Sequence, residues 1–177
     1  QARHLSWVSG SGTQEDPYLI QDLIIDGNQS AAAMEIKYSR DVYFTIQNCT
    51  CYNAETGIRL FISSNSTLIG NNCSNNRYGI HLSGGNNTVV DNLLNNNEYS
   101  GLSLHGDYGY QFNSILNNTF YNNSQFGIFM QYAHNTTIKG NLFDGGPTSY
   151  MVYGINNKYS NDSIITGNTF TNMRDND

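Results

Sequence analysis

One stretch of the chain decides the fold, and it reads Gly79-Ile80-His81-Leu82-Ser83-Gly84-Gly85-Asn86-Asn87-Thr88-Val89-Val90-Asp91-Asn92-Leu93-Leu94. It contains three short apolar segments that alternate in steps of two, as strand residues do, and Asn- and Gly-rich turns separate them. None of the segments is long enough for a helix. The same pattern starts again 22 residues later with Gly101-Leu102-Ser103-Leu104.

This unit recurs along the chain at intervals of 24, 22, 22, 26 and 27 residues. The units start at Ala33, Gly57, Gly79, Gly101, Gly127 and Gly154. Strands this short bury an apolar face only if successive units stack on one another, so the repeat predicts an all-β parallel solenoid of about six to seven coils with three short strands per coil. Residues 1–17 are expected to cap the first coil, and residues 18–177 to form the repeats.

Asparagine is the dominant turn residue, at 27 of 177 positions. It tolerates left-handed backbone angles, and its amide can both donate to and accept from an equivalent Asn one coil away. One Asn occupies the same place in five consecutive units: Asn71, Asn92, Asn118, Asn141 and Asn168. We expect these five to form a structural ladder.

The composition excludes several classes of protein. Charged residues make up 12%, and 8 Lys plus Arg against 14 Asp plus Glu give a net charge of −6. No basic surface is therefore expected for nucleic acid, and no run approaches the roughly 18 apolar residues that insert into a membrane as a helix. The scarcity of good helix formers also disfavours helices.

The repeats and the opening segments 10–20 and 23–27 resemble known families. The first of these segments reads Gly-Ser-Gly-Thr-Gln-Glu-Asp-Pro-Tyr-Leu-Ile, and the second reads Leu-Ile-Ile-Asp-Gly. They resemble the carbohydrate-binding and sugar-hydrolase domain and the nitrous-oxide-reductase maturation family of periplasmic copper-binding proteins, as found in secreted archaeal and bacterial members. The resemblance implies a right-handed parallel β-helix. It implies no single function, because this architecture carries enzymes, adhesins and surface proteins alike.

Candidate ligand-binding residues come from the outward positions of the first strand of each unit. They are Glu35, Arg59, His81, His105 and Phe129. Glu35, Arg59 and His81 on adjacent coils are compatible with an acid/base group and an anion clamp, or with a surface ion pair beside a solvated His81, which is the interpretation we favour. The acids are scattered along the chain, so no catalytic residue is predicted; the pattern leans away from an enzyme and leaves the question open.

No metal site is predicted, because no two His residues share ligand spacing, the three Cys form no CxxC pair and the four Met are dispersed. The copper role that the resemblance suggests would need such clusters. No cofactor is expected, apart from a Ca²⁺ that loop carboxylates near Asp107 or Asp144 could hold. Cys51 and Cys73 occupy the same inward point of consecutive coils, about 5 Å apart, so they are either a disulfide or stacked thiols, with Cys49 unpaired.

Nine Asn-x-Ser/Thr sequons mark possible glycosylation sites: Asn28, Asn48, Asn65, Asn72, Asn86, Asn117, Asn122, Asn135 and Asn161. Together with the low charge, they favour an extracellular, cell-surface location. The chain stops part-way through a repeat, which fits either a piece of a longer solenoid or an open edge that pairs with another copy.

The leading functional hypothesis is a secreted, glycosylated structural protein of a microbial surface that assembles into a filament, sheath or surface layer. Its partner would be itself, through head-to-tail or lateral contacts. The alternative is an extracellular carbohydrate-binding or polysaccharide-processing module that uses the first-strand face.

Overall fold

The computed structural model describes residues 7–106, 111–147 and 151–174. In these ranges the chain is built of short strands that wind into a β-solenoid with six complete coils and two strands of a seventh. Each coil passes through three sheets, which we call the back, side and front sheets. The predicted all-β right-handed parallel β-helix is confirmed. No helix of the described ranges is long and apolar enough to cross a membrane.

The back sheet has eight strands. They are β1 (Val8–Ser9), β2 (Tyr18–Gln21), β5 (Phe44–Gln47), β8 (Ser66–Ile69), β10 (Thr88–Val90), β13 (Ser114–Leu116), β16 (Thr137–Lys139) and β19 (Ile164–Thr166). All are parallel except β1, which runs antiparallel along the outer edge of β2. β1 lies along the first edge of this sheet, and residues 1–6 of the predicted cap, residues 1–17, lie outside the described residues.

The front sheet has six parallel strands. They are β4 (Met34–Lys37), β7 (Thr56–Phe61), β9 (Tyr78–Ser83), β12 (Ser100–His105), β15 (Phe126–Gln131) and β18 (Tyr153–Lys158). The side sheet is interrupted. Its strands are β3 (Ile24–Asp26), β6 (Thr50–Tyr52), β11 (Leu93–Asn95), β14 (Thr119–Tyr121), β17 (Leu142–Asp144) and β20 (Thr169–Thr171). In the third coil the predicted strand is reduced to a bridge at Asn72, which joins Thr50 to Leu93.

Inward side chains of successive coils stack into one continuous core. The rings of Phe120, Phe143 and Phe170 lie parallel, with centroids 4.8 Å apart at each step. Gly101, Gly127 and Gly154, which open the last three units, make room for this stack, because a Cβ at Gly127 would lie 2.4 Å from the Phe143 ring and 2.6 Å from the Gly154 carbonyl oxygen. The packing of the stacked rings therefore explains why glycine occupies this position of the repeat.

The predicted ladder runs along the corner between the back and side sheets. Each side-chain amide from Asn71 to Asn141 donates to the Oδ1 of the next Asn, at 2.9–3.0 Å. The same Oδ1 atoms accept the backbone N–H of the preceding coil at 2.8–2.9 Å. Because Asn71, Asn92, Asn118 and Asn141 are buried, these bonds satisfy polar groups that water cannot reach.

The other two corners also carry stacked polar side chains, which the sequence analysis did not identify. At the corner before the front sheet, Oδ1 of Asn97 accepts the N–H of Asn76, and Oδ1 of Asn123 accepts the N–H of Asn97. At the corner before the back sheet, Oδ1 of Asn113 accepts the N–H of Asn87. Every corner of the coil is thus tied to its neighbour by side-chain amides.

Exposed turn positions account for much of the remaining asparagine. Among the described residues, twenty non-glycine residues have φ between 47° and 61°, and eleven of these are Asn. Asn adopts this left-handed conformation more readily than most residues. Its excess therefore has two structural causes, buried ladders and left-handed turns.

Replacing a ladder residue should destabilise the whole solenoid. The Asn92→Ala variant removes the acceptor of the Asn71 N–H and side-chain amide, the amide donor to the Leu68 carbonyl, and one of the two donors to the Asn118 Oδ1, so we expect the free energy of unfolding to fall by about 2–4 kcal/mol. Urea unfolding followed by circular dichroism measures this loss. The matched control is Asn161→Ala, at an exposed position, which should stay within about 0.5 kcal/mol of the wild type. Equal losses in both variants would contradict the structural role of the ladder.

Candidate functional site

The front sheet aligns outward side chains of successive coils into rows. Cα pairing places Glu35, Arg59, His81, Ser103 and Phe129 in one row across strands β4 to β15. A second row, two residues on, contains His105 beside Gln131. Strand alternation fixes both rows, because the residues between them point into the core. The five predicted ligand residues therefore lie on one face.

A band of aromatic rings borders these rows. Tyr78, Tyr99, Phe126 and Tyr153 follow one another with ring centroids 5.3, 5.3 and 5.8 Å apart. Phe126 also lies 5.3 Å from Phe129, which connects the band to the first row. Counting inward and outward positions along the repeat does not identify this band. The available signal was the residue that precedes the glycine of each unit, at positions such as Tyr78 and Phe126.

Between the band and the rows lies a groove of about 350 Å³, which we call the front groove. Its lining consists of Ala31, Glu55, Thr56, Arg59, Tyr78, His81, Tyr99, Ser103, His105 and Phe129. Four of the five predicted ligand residues are in this lining. Glu35 is not, but it contacts Arg59 from the neighbouring coil.

Arg59 is positioned by charge and by an aromatic ring. Its Nη1 lies 3.4 Å from Oε1 of Glu35, whose other carboxylate oxygen is 2.8 Å from Nζ of Lys37. The guanidinium also lies over the Phe61 ring at 5.4 Å. The predicted surface ion pair is therefore present, and at this partial exposure it adds about 0–1 kcal/mol to stability. The Nε of Arg59 is buried and has no hydrogen-bond partner.

His81 differs from the solvated residue that the favoured interpretation assumed. Its Nε2 is buried without a hydrogen-bond partner, and its ring centroid lies 4.9 Å from that of His105. Burial, then the charges of His105 and Arg59, lower the pKa of His81 to about 4. The imidazole is consequently neutral at pH 7. The prediction of a solvated His81 was wrong, because flanking aromatic and histidine rings shield its side chain from water.

Nε of Arg59 and Nε2 of His81 thus have no hydrogen-bond partner. The two residues lie on adjacent coils. An unsatisfied buried polar atom costs about 1–3 kcal/mol, so a ligand that supplies an acceptor recovers free energy here. The lining includes a single carboxylate, Glu55, which pairs with Arg77 at 3.4 Å. Among its described lining residues, the groove therefore has the polar and aromatic groups of a binding site and no pair of carboxylates such as acid/base hydrolysis uses.

The three cysteines are buried free thiols. Cys51 and Cys73 face inward on consecutive coils, so the structure contains the stacked-thiol alternative. Burial raises the pKa of Cys73 well above its usual range, which keeps that thiol protonated and slow to react.

The described residues contain no group of three or more His, Cys, Asp or Glu side chains that could hold a metal ion. Asp144, a predicted Ca²⁺ ligand, accepts hydrogen bonds at 2.9 Å from the Gly146 N–H and from the Asn172 amide. These bonds lower the pKa of Asp144, with the Asn172 amide as the larger cause. The other predicted ligand, Asp107, lies outside the described residues.

The nine sequons differ in accessibility. Five have exposed asparagines, namely Asn28, Asn48, Asn86, Asn117 and Asn161. The amide nitrogen of Asn65 donates to the Arg40 carbonyl, that of Asn122 donates to Asn96, and that of Asn135 is buried. Asn72 is partly buried, and its side-chain oxygen accepts from Ser74.

Glycosylation in a host that recognises these sequons should follow this division. We expect glycans at the five exposed asparagines and an unmodified Asn135 in folded, secreted protein, because a glycan on a buried amide prevents that coil from closing. Glycopeptide mass spectrometry reads each site separately. Substantial occupancy of Asn135 in protein that keeps its thermal transition would show the expected division to be wrong.

Comparison with known proteins identifies the architecture. A family model described as "Right handed beta helix region" matches residues 7–170. Searches among curated proteins and among solved structures gave no match. Since the family match spans most of the chain, this protein belongs to the right-handed β-helix family.

Proposed function

We propose that this chain is an extracellular saccharide-binding module that holds its ligand in the front groove. The observation that carries the proposal is the aromatic band beside two unpartnered groove nitrogens. Aromatic rings cover the apolar CH faces of sugars, while nearby N–H and hydroxyl groups hydrogen-bond to sugar hydroxyls. The front groove offers both kinds of group within one volume.

The rigidity of the support favours this role. The strands of the front sheet are fixed in register by their neighbours, and the Asn97–Asn123 bond ties the corner that leads into it. Side chains held in place before binding lose little conformational entropy when a ligand arrives. The resemblance to the carbohydrate-binding and sugar-hydrolase domain supports the same ligand class, and the exposed sequons support an extracellular setting.

A second candidate is the structural surface protein, and the edge of the last described coil favours it. Strands β18, β19 and β20 each pair on one side only. Ile165 and Phe170 lie at core positions of the stack but are 46% and 47% exposed. A second copy stacked head to tail would pair β18 and β20 with its own β4 and β3, set β19 against its β1, and cover both side chains. In this role the solenoid serves as a mechanical support, and the front groove lies along its side.

Saccharide binding should depend on the aromatic band. We expect a glycan array to identify a ligand and the Tyr99→Ala variant to weaken its binding at least tenfold, because the Tyr99 ring lines the groove and contacts two neighbouring rings. Titration calorimetry with the ligand found on the array measures the loss. Tyr132→Ala is the control, since this half-exposed tyrosine lies outside the groove lining. The absence of any glycan ligand, or equal affinity in both variants, counts against the proposal.

Assembly should depend on the open edge. If copies stack head to tail, the mass measured by light scattering rises with protein concentration, and Ile165→Glu abolishes the rise by placing a charge in the shared core. Leu93→Glu is the control, because Leu93 is an exposed apolar residue on β11, in a middle coil away from both ends of the solenoid. A monomeric mass at all concentrations, or the same behaviour in both variants, excludes the head-to-tail contact.

A further inference from the structure

We propose that Arg59 and His81 form a subsite for an oxyanion substituent of the bound saccharide, either a sulfate ester or a carboxylate. The inference rests on the proposed saccharide function and adds the charge class of the ligand. Both residues line the front groove and belong to adjacent coils in the same outward row.

The guanidinium of Arg59 presents unused donor capacity. Arg has five N–H donors in a planar fork that matches a group with two oxygens. Glu35 takes up the Nη1 side, at a distance of 3.4 Å, and Lys37 holds Glu35 in turn at 2.8 Å. The Nε–H is buried and has no partner. An oxyanion that reaches this edge adds hydrogen bonds without breaking the ion pair that orients Arg59.

His81 supplies the second contact. Its Nε2 has no hydrogen-bond partner and lies one coil from Arg59. Neighbouring side chains cover both nitrogens, so the anion reaches them by displacing groove residues. Two charge-assisted hydrogen bonds to one oxyanion offset that displacement.

The charged and titratable groups around His81 favour an anion over a cation. Arg59 and Glu55 face it from the side of β7, His105 and Tyr99 from the side of β12, and Tyr78 from its own strand. Glu55 is already paired with Arg77. The described groove lining therefore offers no carboxylate that pairs with the Arg59 guanidinium. The positive charge of Arg59 repels a metal ion from the adjacent histidines.

Anion binding here should be coupled to proton uptake. In the free protein the pKa of His81 is about 4, so the ring is neutral at pH 7. A bound oxyanion favours the protonated ring and raises this pKa. By linkage, affinity increases as the pH falls from the pKa of the complex toward about 4, and it becomes constant below that value. A sulfate ester stays ionised over this interval, so its own titration does not enter.

The test uses the full chain and two matched probes, a sulfated oligosaccharide found by array and its desulfated form. Calorimetry at pH 7 and pH 5, in two buffers with different ionisation heats, gives both the affinity and the number of protons taken up. We expect the sulfated probe to bind at least tenfold more tightly, with measurable proton uptake at pH 5. A carboxylated oligosaccharide and its methyl ester, compared at pH 7, show whether a carboxylate serves equally well.

Variants assign the effect to residues. Arg59→Gln should lower affinity for the sulfated probe by about 10–100-fold and affinity for the desulfated probe by clearly less, so that the ratio of the two affinities falls. His81→Gln should abolish proton uptake. Lys139→Gln removes the same charge from the back sheet and should change nothing. The uptake measured on the wild-type protein stands even if a groove variant misfolds.

The outcomes separate the two proposals. If neither form of the saccharide binds, the saccharide function fails. If both forms bind equally, or if Lys139→Gln costs as much as Arg59→Gln, the oxyanion subsite is overturned while saccharide binding stands. Proton uptake that persists in His81→Gln removes His81 from the subsite.

Discussion

The hydrogen bond from one buried side-chain amide to the same amide one coil away is the interaction on which this structure depends. A corner of a β-solenoid turns its backbone N–H groups away from the sheets, so they need partners that the sheets do not provide. Asn71 and Asn92 show the solution, because one Oδ1 accepts both the amide and the backbone N–H of the preceding coil. Repeated along the ladder from Asn71 to Asn168, this bond holds the third to seventh coils in register.

The register between neighbouring strands brings residues that are distant in sequence together in one site. Arg59 and His81 are 22 residues apart, yet their Cα atoms pair in neighbouring strands. Residues that share one position of the repeat are brought to the strand spacing of about 4.8 Å. A substitution at an outward groove position of the front sheet therefore changes the groove without adding a side chain to the core. A structural scaffold and a binding surface can thus coexist in one chain.

The core shows how firmly that register is enforced. Phe120, Phe143 and Phe170 stack face to face only because the glycines opening the front strands leave no side chain in their way. A shift of one residue would place a side chain where Gly127 now lies against the Phe143 ring. Apolar stacking and amide ladders thus specify the same alignment, so local sequence and global fold agree.

The sequence by itself determined the architecture, because a recurring period with alternation in steps of two has few physical solutions. It placed the Asn71–Asn168 ladder and the row from Glu35 to Phe129, since both follow from counting along the repeat. The repeat position before the unit glycine carries Tyr78, Phe126 and Tyr153 of the aromatic band, but Tyr99 lies in a turn, where counting along strands does not apply. The sequence did not reveal the state of His81, whose burial depends on the rings of His105 and Tyr78 that surround it. The period of the sequence gives the position of each residue in the solenoid. Burial and missing hydrogen-bond partners arise only where side chains from several coils come into contact.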